Sequence, residues 1–118
     1  MANDDNGLAA KIEEIRQMFL QRLNDEWLGR IGELRVRLPL DWSRANLDDT
    51  IFLTHSMAGS GATFGYQAIT DVGRKVEVAA RTMLKEDTLA LEDARAEILK
   101  GLEDLESESR AAVADLRT

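Results

Sequence analysis

The chemistry in this sequence centres on His55, the only histidine in the chain. Imidazole titrates closest to neutrality of all side chains, so a neutral, nucleophilic ring is available at cellular pH. Its lone pair can attack a phosphoryl group held by another protein. The resulting phosphoramidate then transfers readily to a carboxylate. The chain has no cysteine, which removes thiolate chemistry and disulfides. Metal binding is a poorer use of His55, because it would need carboxylates alone beside it. Asp48, seven residues earlier, is the nearest on that face. No metal is therefore expected.

The stretch around His55 reads as a helix. At about 100° per residue, Leu53, Met57, Ser60 and Phe64 fall within a stripe of roughly 60°. His55 lies about 200° from Leu53, so the stripe turns inward and the imidazole outward. Ala58, Gly59 and Ala62 flank it and are all small. Ile51 lies about 40° from His55, one turn earlier, and offers an apolar contact. These residues predict a docking surface of Ile51, Ala58, Gly59 and Ala62 around an exposed acceptor. Gly59-Ser60-Gly61 lies within the helix and does not form a phosphate-cradling loop. Ser60 is read as a packing residue. Gly61 is nearer the buried boundary and suits a neighbouring helix.

The run from His55 to Gly65, His-x-Met-x-Gly-Ser-Gly-x-x-Phe-Gly, resembles the motif of the histidine phosphotransfer (HPt) family, His-x-Leu-Lys-Gly-Ser-x-x-x-Leu-Gly. Phe19-Leu20-Gln21-Arg22-Leu23 resembles the family's opening helix, Asp41-Trp42 its turn before the histidine helix, and Glu77 its later acidic residue. The resemblance covers about residues 19–116. It implies a helical bundle whose histidine exchanges a phosphoryl group with the aspartate of a receiver domain, and no cofactor in this chain, because the receiver supplies the Mg²⁺. One departure is plain: the family carries lysine three residues after the histidine, and here that residue is Ala58. Arg74 and Lys75 are the nearest basic pair after the motif. Glu77 is assigned to a hydrogen bond within the bundle or to solvent, not to general-base work.

The remaining elements follow from apolar spacing. Leu8, Ile12, Ile15, Phe19, Leu23, Trp27, Ile31 and Leu34 recur at helical intervals, along a stripe that drifts and is interrupted by Gly29 and Gly32. One bent helix or two consecutive helices fit this run. Pro39 ends it by pushing Leu38 out of the α region. Trp42 is expected to plug the bundle end. A second helix starts near Asn46 as N-cap, with Asp48 and Asp49 in its first turn, and stops at Gly65. A third covers about residues 66–84. Lys85-Glu86-Asp87 forms a polar connection. A fourth starts near Asp87 or Thr88 and keeps Leu91, Ala94, Ile98, Leu102, Leu105, Ser109, Val113 and Leu116 on one face. The expected fold is all-α: an antiparallel four-helix bundle with a long C-terminal helix and an N-terminal helical extension. Residues 1–7 are assigned to a disordered terminus and 8–118 to the bundle.

The chain has 118 residues, 44% of them hydrophobic, enough for one domain with a core. Its net charge of −7 argues against nucleic acid and against anionic membrane surfaces. No apolar run is long enough to span a bilayer. The opening residues 1–6 lack the basic and apolar regions of a signal peptide. A cytoplasmic monomer is expected. Its partners would be a response-regulator receiver domain, a hybrid histidine kinase, or both. Autonomous kinase activity is not expected: no glycine-rich nucleotide loop is present, and the single proline, Pro39, precludes the His-Glu-x-x-x-Pro box of dimerising kinases. Two other functions remain open. One is a non-transferring helical adaptor that binds a receiver or kinase. The other is an oligomerisation bundle built on the charged last helix.

Overall fold

The computed structural model describes residues 2–85 and 92–117, with the backbone alone for residues 2–6. All its regular structure is helical: α1 (Ala2–Arg22), a π-helical turn (Leu23–Trp27), α2 (Leu28–Arg37), α3 (Arg44–Phe64), α4 (Gln67–Lys85) and α5 (Glu92–Val113). No strand occurs among the described residues. The first three run on without a break and act as one helix of the bundle. At 1.5 Å per residue these 36 residues reach about 54 Å, close to the molecule's longest dimension of 58 Å. Helix α1 starts at Ala2, inside the segment that composition assigns to a disordered terminus. The expected start of the last helix at 87–88, Leu91 and most of the 85–87 connection lie outside the described residues.

The π turn accounts for the drifting stripe. Leu23, Trp27 and Ile31 follow one another at steps of four, which on an α-helix advance the stripe by about 40° each. A wider turn over Leu23–Trp27 takes up that advance. Phe19, Leu20, Leu23, Trp27, Ile31, Leu34 and Leu38 are then all buried in the core. Gly29 and Gly32 are not the irregularity. They lie on the surface, with open space where a Cβ would stand.

Helix α2 ends at Pro39, but not by displacement of Leu38. Leu38 keeps α conformation (φ −56°, ψ −46°) and its N–H bonds to the Leu34 carbonyl. The chain stops because Pro39 has no N–H to continue the ladder. The N-cap of α3 is Ser43, not Asn46. Ser43 has extended backbone and its hydroxyl accepts from the Asn46 N–H. Asn46 is buried instead, and its amide donates to the Asp41 carbonyl at 2.8 Å. Trp42 is half-buried against the core, with the Arg95 guanidinium 5.2 Å from its ring centre. Gly65 closes α3 in the left-handed region (φ 85°), where glycine carries no Cβ penalty.

The most extensive packing is between α3 and α4, followed by α4 with α5 and then α5 with α2. Ile69, Val76, Ala80, Met83, Ile98, Leu102 and Leu105 fill the centre. Helix α1 joins this core only through its last turns, while residues 7–12 are exposed. Its anchor is a polar cluster. Both carboxylate oxygens of Glu13 accept from Arg16 at 2.8 Å. Arg16 also donates to the Tyr66 hydroxyl, which donates to Asp115 at 2.9 Å. Arg16, as the main hydrogen-bonding partner, lowers the Glu13 pKa to about 2. Burial and the bond to Asp115 raise that of Tyr66.

Candidate functional site

Small residues set the register between α3 and α4. A Cβ on Gly61 would lie 2.7 Å from Thr70 Oγ1 and 3.0 Å from the Tyr66 carbonyl. A Cβ on Gly73 would lie 3.1 Å from the Thr54 carbonyl and 3.4 Å from Ala58 Cβ. The buried Thr70 hydroxyl donates to the Ala58 carbonyl at 2.7 Å. These contacts run antiparallel along the two helices, so the next pair in register is His55 with Glu77.

That pair is in contact. His55 Nδ1 lies 3.2 Å from both carboxylate oxygens of Glu77. The His55 side chain is 71% exposed and that of Glu77 only 14%. Arg81, one turn after Glu77, donates its Nε–H to Glu77 Oε2 at 2.8 Å. A carboxylate can only accept hydrogen bonds, so Nδ1 of a neutral ring must carry the proton. The lone pair then sits on Nε2, which has no partner among the described residues. Glu77 is thus the bundle hydrogen-bonding residue allowed for by the sequence, and its partner is the histidine itself.

The predicted docking residues divide. Gly59 and Ala62 are exposed beside His55, and a Cβ on Gly59 would meet nothing within 4 Å. Ile51 is half-buried, packed against the core with its outer side open. Ala58 is corrected: it is 3% exposed and lies under α4, against Gly73 and Thr70. It cannot belong to an exposed docking face. Helical phase alone places Ala58 about 60° from His55, but α4 approaches on that side and covers it. On the opposite flank Phe52, 67% exposed, extends the open face. It borders a notch of about 240 Å³ lined by Arg30, Leu34, Asp49 and Leu53. Sequence reasoning missed Phe52, although it lies only about 60° from His55 on the helix.

The alanine that stands where the resembled motif has lysine also takes on a physical meaning. The position is a helix-packing site in this chain. Arg74 and Lys75 are exposed on α4, but the cation that reaches the histidine's partner is Arg81. Among the described residues no group of three or more histidine or acidic side chains could hold a metal ion. No described helix is long and apolar enough to cross a membrane. No protein-family model matches the chain, and neither a curated protein nor a solved structure matches it.

Proposed function

We propose that this chain is a phosphorelay intermediate of the HPt type. His55 would take a phosphoryl group from the aspartate of a receiver domain, or from a kinase, and pass it to another receiver. The observation that carries this reading is the His55–Glu77 pair, with Nδ1 held and Nε2 open to a partner.

The chemistry balances without a base in this chain. The Nε2 lone pair attacks phosphorus and the N–P bond forms. The P–O bond to the partner's carboxylate breaks, and its electron pair stays on that carboxylate. The proton on Nδ1 does not leave. The ring becomes cationic, and the Glu77 carboxylate lies 3.2 Å from the nitrogen that carries the proton. Glu77 therefore orients the ring and offsets its charge. In-line positioning and Mg²⁺ come from the receiver. Arg81 supplies a cation beside the site in place of the lysine that Ala58 replaces. The reverse step returns the phosphoryl group to a carboxylate.

The test is phosphoryl transfer from a panel of phosphorylated receiver domains, with His55→Gln beside the wild type. The expected result is acid-labile, alkali-stable label on the wild type and none on the variant. Receiver binding without label, in a folded protein, would replace this reading with the adaptor.

A further inference from the structure

Next to His55, α3 and α4 change character. On the Gly61 side they approach through Ala58, Gly61, Thr70 and Gly73. On the other side, toward the start of α3, longer side chains face each other and a groove of about 400 Å³ opens. It is lined by Arg44, Asp48, Ile51, Arg81, Leu84 and Lys85. Ile51 and Leu84 are half-buried and form an apolar floor. Arg44, Arg81 and Lys85 are exposed; Arg81 is neutralised by Glu77, which leaves the charges of Arg44 and Lys85 against the one carboxylate of Asp48. This local excess of positive charge sits in a chain of net charge −7. Arg44 and Lys85 have no ion-pair partner among the described residues, unlike Arg81, which is bonded to Glu77.

We infer that this groove is the docking site for an acidic segment of the phosphoryl-exchanging partner, with an apolar side chain between its carboxylates. This rests on the phosphorelay reading. The argument is charge complementarity. A partner that carries its phosphoryl group on a carboxylate and binds Mg²⁺ must gather carboxylates around that site. Its face is negative, and most of this chain repels it. The groove begins one turn from His55, at Ile51, and attracts such a face where the reacting atoms must meet. Charges arranged in this way steer encounter and fix register. The apolar floor receives the side chain between the carboxylates.

The test reverses Arg44 and Lys85 together (Arg44→Glu, Lys85→Glu) and measures both receiver binding and transfer from phosphorylated receivers. Both side chains are exposed, so the melting curve should match the wild type. Single neutralisations, Arg44→Gln and Lys85→Gln, provide the same reading should the double variant fold poorly. The charge-reversed variant should bind and transfer at least roughly ten-fold more weakly at low salt, with a flatter salt dependence. A remote pair carrying the same charge change, Lys11→Glu with Lys100→Glu, should behave as the wild type. Wild-type rates in the groove variant, or an equal loss in the remote one, would overturn the inference. The underlying reading fails separately: wild-type His55 would then take no label from phosphoramidate or from any receiver. In that event the groove is judged by binding alone, and binding insensitive to Arg44 and Lys85 would remove it too.

Discussion

His55 and Glu77 stand 22 residues apart in sequence and meet with Nδ1 3.2 Å from both carboxylate oxygens. The contact fixes which ring nitrogen carries the proton, and this is measurable without any partner. Nitrogen NMR of the imidazole should show the neutral ring mainly as the Nδ1–H tautomer. In Glu77→Ala the ordinary preference for Nε2–H should return. Under the proposed function, transfer from a receiver should fall by roughly 10- to 100-fold. An unchanged tautomer in the alanine variant would show that the carboxylate does not hold the ring.

The two glycines flanking Ser60 should respond in opposite ways to alanine. Gly59 faces open space, so Gly59→Ala should stabilise the protein by about 0.4–1 kcal/mol through the unfolded state. At Gly61 the new Cβ would press on Thr70 Oγ1 at 2.7 Å and on the Tyr66 carbonyl at 3.0 Å. Thr70 cannot yield without losing its bond to the Ala58 carbonyl. Gly61→Ala should therefore cost about 1–3 kcal/mol. Urea unfolding of both variants decides the matter, and a stabilised Gly61→Ala would contradict the close approach of α4. Gly59→Glu should keep the fold and, under the proposed function, block transfer.

The pairing of Glu13 with Arg16 predicts an acid-dependent anchor for α1. The hydrogen bonds from Arg16 hold the Glu13 pKa at about 2, below its ordinary 4.5. A depressed carboxylate stabilises the fold above its unfolded-state value. That contribution fades as pH falls through the folded value. The difference in urea midpoint between wild type and Glu13→Gln should thus be full near neutral pH. It should begin to narrow near 4.5 and close toward about 2. A constant difference across that range would mean that Glu13 acts through packing alone.

Much of this arrangement is legible in the sequence, and the departures have separate physical causes. The outward imidazole, the glycine stop at Gly65 and the helical order follow from periodicity and capping, which are local. Ala58 departs from expectation because its surroundings come from another helix, and Asn46 because the loop just before it supplies both the cap, Ser43, and a partner for its amide. Helical phase gives an angle around α3 but not the side on which α4 lies. A small residue near the boundary can mark either an open face or a close helix contact. Gly59 is the first kind and Ala58 the second. Asn46 has the composition of a cap, yet its amide is taken up by Asp41 in the preceding loop. Phe52 needs no tertiary information: its helical phase, about 60° from His55, already places it on the exposed side.

The sharpest consequence concerns Ala58, which stands where the motif that this run resembles has lysine. Ala58→Lys introduces that lysine but places its stem where α4 lies. Ala58 is 3% exposed, and a Cβ on Gly73 would already stand 3.4 Å from its own Cβ. The four methylene groups of lysine can reach solvent only by displacing α4 or by leaving their rotamer wells. Overpacking of this kind costs about 1–3 kcal/mol. The displacement would also draw Glu77 from His55, because the same register places both. Ala58→Lys should therefore unfold at lower urea and shift its imidazole toward the Nε2–H tautomer, as Glu77→Ala should. Under the proposed function, phosphoryl transfer should weaken, even though a cation has been added beside the histidine. A variant as stable as the wild type, with faster transfer, would instead mean that α4 leaves room for the lysine and that Arg81 does not stand in for it.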